Sequence, residues 1–96
     1  MNKLLKRSFA TLMALSCIAP AAMAQRNVVE TETHRFVEVV DGVWHGSGTG
    51  PVYTMSNVMV LVGATDTLIV DSHVTPTAAR ALLESISALT DKPVRY

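Results

Sequence analysis

The apolar positions of the chain fall into runs that predict strands first and a helix afterwards. From Arg35 to Val40, the residues Phe36, Val37, Val39 and Val40 read as a strand, Asp41-Gly42 is a tight-turn pair, and Val43-Trp44-His45 opens a return strand. That predicts a first β-hairpin. Val52 to Val62 reads as a strand interrupted at Thr54-Met55-Ser56-Asn57, Gly63-Ala64-Thr65-Asp66 as a turn, and Thr67 to Val70 as a further strand, so Val58 to Val70 makes a second hairpin. Leu68-Ile69-Val70 is apolar throughout, the composition of a strand buried on both faces, and it ends on Asp71 with no basic neighbour. Gly46 to Pro51 is glycine-rich and is expected as a turning or mobile loop. It either brings backbone close to a ligand or simply connects two strands, and it lacks the lysine of a phosphate loop.

After Asp71 the period changes. Thr75 is placed to cap a helix that starts at Pro76, whose fixed backbone angle suits that position. Ala79, Leu82, Leu83, Ile86 and Leu89 make one apolar stripe, with Arg80, Glu84 and Ser87 mostly opposite. Thr90-Asp91-Lys92-Pro93 ends the helix, and Val94-Arg95-Tyr96 begins a new strand. The expected fold is α+β: two β-hairpins forming a mixed sheet with one helix packed on one face, spanning residues 35–96. Residues 25–34 are polar, show no sustained period and are expected as a flexible lead-in.

The start of the chain has a different character. Lys3, Lys6 and Arg7 precede an apolar stretch from Phe9 to Pro20 and the small residues Ala22-Met23-Ala24, which together form a secretory signal peptide over residues 1–24. The apolar stretch is shorter than the roughly 20 residues of a membrane span, so no stable span is expected and the mature protein is secreted or periplasmic. Lipidation at Cys17 is a weaker alternative, since Ala14-Leu15-Ser16 approaches it poorly. Cleavage after Ala24 removes three of the eight basic residues and leaves five against eight acidic ones, so no basic patch for nucleic acid remains. It also removes the one cysteine, so no disulfide stabilises the exported form. A domain of this size buries only about 60% of the surface its unfolded chain exposes. Together with a new strand beginning at Val94, this leads us to expect the front portion of a larger domain.

Candidate chemistry centres on Asp71, because ligands gather at the carboxyl ends of strands in α/β sheets. The histidines of the mature chain, His34, His45 and His73, lack the close pairing common in zinc sites. On an extended segment Asp71 and His73 share a face, and a metal site with His45 from across the sheet stays open. The plainer alternative makes His73 a half-exposed loop residue, His45 an edge residue and His34 part of the lead-in. Ser47, Ser56 and Ser72 lack a nucleophile elbow, and Asp71, Ser72 and His73 alternate faces as strand neighbours, so they form no triad. Asn57 is expected to bond a neighbouring backbone group. No catalytic residue and no metal ligand is assigned. Asp71, Ser72, His73 and Asn57 are candidates for supporting a site completed by a later segment.

Phe36-Val-Glu-Val-Val-Asp-Gly-Val-Trp44, Ser56-Asn57 leading a strand, Leu68-Ile-Val-Asp-Ser72, and a helix followed by Asp91-Lys-Pro-Val-Arg-Tyr96 resemble the N-terminal part of metallo-β-lactamase-fold hydrolases. The resemblance covers nearly all of the mature chain. It implies an αββα sandwich in which a strand ending in aspartate is followed by a helix and then by a strand leading to a His-x-His-x-Asp-His metal motif. Asp71 matches the family's buried carboxylate beside the metal, and Gly46 to Pro51 matches a loop that borders the site. The complete domain would use zinc to activate water against an ester, amide, thioester or related bond of a small-molecule substrate. The zinc ligands would follow Tyr96, so the chain as given binds no zinc and is expected to be inactive. An alternative from another class is a small exported, non-catalytic binding or assembly module that pairs through an open sheet edge.

Overall fold

The structure, a computed structural model, describes residues 25–96; the expected signal peptide lies outside the described residues. Its fold class is α+β. Five strands run in chain order across one antiparallel sheet: β1 (Val28–Glu30), β2 (His34–Val40), β3 (Val43–Gly48), β4 (Val58–Val62) and β5 (Thr67–Val70). The helix α1 (Pro76–Ile86) follows. The sheet is antiparallel rather than mixed. Its parallel element is a bridge between Thr67 and Val94, where residues 93–96 run beside β5.

Local chemistry explains several of these elements. Gly42 sits at φ +75°, the left-handed backbone that glycine adopts at little cost, and β2 reverses there into β3. The Thr75 side chain accepts the Ala78 N–H at 3.1 Å and satisfies one of the donors left free at the start of α1. On the helix side of the sheet, Phe36, Val58 and Val60 meet Leu82 and Ile86 in the buried core, with Trp44, Ile69, Leu89 and Val94 around them.

The structure departs from the sequence reading at several points. Residues 25–34 are not a bare lead-in: Val28, Val29 and Glu30 pair with Val37, Phe36 and Arg35, and His34 is fully buried at the start of β2. Three residues are too few to show a period, and β1 is a strand because β2 offers it an edge. Gly46 and Gly48 lie inside β3 rather than in a loop. A Cβ on Gly46 would sit 2.7 Å from both the Phe36 ring and Val58, so the glycine makes room for the core ring opposite. No strand covers residues 52–57; β4 begins only at Val58. The helix stops at Ile86, and its buried residues are Ala78, Leu82, Ser85 and Ile86, while Leu83 is turned outward. The predicted stripe is therefore rotated, because Ser85 takes a buried place through its hydrogen bonds.

β5 is not buried on both faces. Thr67 is buried and Ile69 partly so, whereas Leu68 and Val70 are exposed. The same holds across the sheet, where the register aligns Val28, Val37, His45, Met59 and Val70 in one row on the face away from α1. A second row is Val40, Val43, Leu61 and Leu68. An antiparallel sheet with one solvated face normally alternates apolar with polar. Here these two rows are apolar apart from His45, and the polar residues of the face are gathered in the end row Glu30, Arg35 and Ser47.

Candidate functional site

The site is built at the end of β5, where the chain leaves the sheet through Asp71-Ser72-His73-Val74 and enters α1. Asp71 and His73 have φ of 69° and 68°, left-handed values that cost residues with a Cβ roughly 1–3 kcal/mol each. The segment is thus a compact turn, and the expectation that Asp71 and His73 share a face of an extended strand is corrected. The turn is held by its own carboxylate: Asp71 Oδ1 accepts the His73 N–H at 2.9 Å, and Oδ2 accepts the Ser56 hydroxyl at 2.7 Å. The Ser56 hydrogen bond first, and the His73 N–H next, hold the Asp71 carboxyl below the usual carboxylate range. Asp71 is therefore ionised at neutral pH. Its side chain is exposed rather than buried, contrary to what the family resemblance implies.

What lies beside it matters more than its burial. The Thr67 N–H donates to Pro93 O, the Arg95 N–H to Thr67 O and the Ile69 N–H to Tyr96 O, so residues 93–96 advance alongside β5 in the same direction. Asp71 lies two residues beyond Ile69 along that direction. Its oxygens accept the Ser56 hydroxyl and the His73 N–H, with a lesser contribution from the Ser72 N–H, and the exposed carboxylate keeps acceptor capacity for a further donor.

The other candidates are distributed unevenly. Ser72 is exposed, and its backbone N–H adds to the stabilisation of the Asp71 carboxylate. Asn57 is exposed and makes no side-chain hydrogen bond among the described residues; its neighbour Ser56 holds Asp71 instead. Ser56 is legible only in hindsight, since nothing local marks a serine that reaches fifteen residues ahead. His45 faces away from α1, in the row with Val37 and Met59, whereas His34 and Phe36 face the helix side. A site combining His45 with Asp71 and His73 is therefore not formed. Among the described residues, no group of three His, Cys, Asp or Glu side chains is arranged to hold a metal ion.

The histidine that the sequence reading placed in the lead-in proves to be the partner of His73. His34 Nε2 and His73 Nε2 are 2.8 Å apart. On its other side, His34 Nδ1 lies 2.8 Å from Thr33 Oγ1 and 3.3 Å from Ser85 Oγ, and Ser85 Oγ lies 2.8 Å from Thr31 Oγ1. One polar chain thus links α1, the turn before β2 and the turn after β5. Compared with known proteins, the chain matches no family model, no curated protein and no solved structure.

Proposed function

We propose that this chain is the N-terminal part of an exported zinc-dependent hydrolase of metallo-β-lactamase fold, in which Asp71 braces a metal centre whose ligands follow Tyr96. The observation that carries this reading is the parallel approach of residues 93–96 to β5, because a chain continuing in that direction arrives beside the Asp71 carboxylate. The remaining acceptor positions of Asp71 suit the ring N–H of a metal-binding histidine, and such a bond fixes the tautomer and orientation of the ligand. Zinc, when bound there, would activate water for attack on an ester, amide or thioester of a small molecule. What this chain contributes is a negative charge held in place by Ser56 and the His73 backbone.

The two largely apolar rows on the face away from α1 support the same reading. Val40 is 62% exposed and Val70 54%, and such a surface calls for cover. A second sheet stacked about 10 Å away would provide it and would make the αββα sandwich. The edge-pairing module is less favoured. Residues 93–96 already occupy the outer edge of β5, and the opposite edge is the three-residue β1. Sequencing the reading frame past Tyr96 tests the proposal: two histidines one residue apart, then Asp-His, are expected shortly after it. A frame that closes there, or continues without closely spaced histidines, would overturn it.

A further inference from the structure

We infer that His34 and His73 form a proton-controlled latch that holds the Asp71–Val74 turn closed at neutral pH and releases it in acid. This does not depend on the hydrolase reading, since it rests on the contact between the two rings. Their planes are inclined by 27° and their centroids are 5.1 Å apart. That separation is accounted for by the 2.8 Å between the Nε2 atoms plus the radius of each ring. The rings therefore meet nitrogen to nitrogen, and one Nε2 must carry a hydrogen while the other offers a lone pair.

The surroundings assign the roles. His73 Nδ1 is buried with no hydrogen-bond partner. An orphaned N–H is rarer in folded proteins than an unsatisfied acceptor, so this nitrogen is the bare one and His73 Nε2–H donates to His34 Nε2. His34 Nδ1–H then donates to Thr33 Oγ1 or Ser85 Oγ. The bond persists while one of the two facing Nε2 atoms keeps its lone pair. A proton held on the accepting His34 Nε2 takes that lone pair away. Two Nε2–H groups then oppose each other, and the contact opens.

Burial, and after it the charge of His73, hold the His34 imidazole below its ordinary range. A depressed folded-state value means that the stabilising contribution is complete above about pH 6.5 and is lost as the pH falls toward the lower folded value. The charged groups around the pair do not reverse this. Asp71 lies in the same turn as His73 and accepts its backbone N–H. Glu32 on the turn before β2, and Arg80 and Glu84 on α1, line the crevice outside Thr33 and Ser85, and Phe36 lies on the sheet side of His34.

The test follows the histidine ring nitrogens by NMR, and the His73 amide by hydrogen exchange, in the purified chain from about pH 8 to about pH 5. At the upper end a shared Nε2–H···Nε2 signal is expected. At the lower end it disappears, and the His73 amide loses at least about tenfold of its protection beyond the intrinsic pH effect, while β3 amides keep theirs. His34→Gln offers His73 Nε2–H an uncharged acceptor that does not take up a proton, so its turn should stay protected to about pH 5. The latch is ruled out if both rings titrate independently in the ordinary range, if the wild-type turn keeps its protection in acid, or if β3 opens together with it. Should His34→Gln not fold, the wild-type ring signals decide alone.

Discussion

Truncating Phe36 to alanine is expected to lower the stability of the fold by about 3–5 kcal/mol, the cost of removing a large buried aromatic and leaving a cavity. Phe36 is fully buried, faces Gly46 across the β2–β3 pair, and belongs to the cluster in which Val58, Val60, Leu82 and Ile86 bring sheet and helix together. Because Gly46 has no side chain, the strand opposite cannot fill the space. A domain of this length holds only some 0.05–0.15 kcal/mol per residue, so the loss is a large fraction of the whole. Urea unfolding checks it: the midpoint should fall by more than about 1 M. Val40→Ala, on the open face, should change stability by no more than about 0.5 kcal/mol. Equal midpoints for the two variants would show that the core is misplaced.

The second large effect concerns Asp71. In the protein continued past Tyr96, Asp71→Asn is expected to weaken zinc binding by about 10–100-fold, the usual consequence of losing a carboxylate that orients a metal ligand. Asparagine keeps the shape: its Oδ1 can still accept the His73 N–H, and its amide N–H can donate to the Ser56 hydroxyl in a reversed bond, so the turn survives while the charge is lost. Thermal unfolding without metal should scarcely change, because the side chain is exposed. A competition titration with a zinc chelator measures the loss. An unchanged affinity would detach Asp71 from the metal centre, and a large drop in metal-free stability would make its role structural.

The legible features of this chain were those with local causes. Thr75-Pro76 announces a helix start because the cap hydroxyl and the N–H it satisfies lie three residues apart. Asp41-Gly42 announces a turn because glycine accepts positive φ. The α+β class followed from such signals, and Asp71 was conspicuous because an apolar run ends on a charge. What stayed hidden depended on distant partners. His34 looks like a polar residue in a polar segment, and it is buried because His73, thirty-nine residues later, and Ser85 on the helix satisfy its nitrogens. Gly46 reads as a loop residue until the Phe36 ring is seen to need its space. The left-handed backbone at Asp71 and His73 carries no glycine to mark it; the carboxylate's hydrogen bond to the His73 N–H holds it in place. Leu68-Ile69-Val70 suggested a doubly buried strand because composition records apolarity but not which layer covers it.

That uncovered face and the position of Asp71 lead to one structural experiment. Crystals of the protein continued past Tyr96, grown with zinc and measured at the zinc absorption edge, would locate the metal directly. The expected result is an anomalous peak beside the Asp71 carboxylate, on the flank of β5 along which residues 93–96 advance, with the second sheet lying over Val37, Met59 and Val70. A peak remote from Asp71, or a second layer that leaves this face bare, would contradict the proposed role.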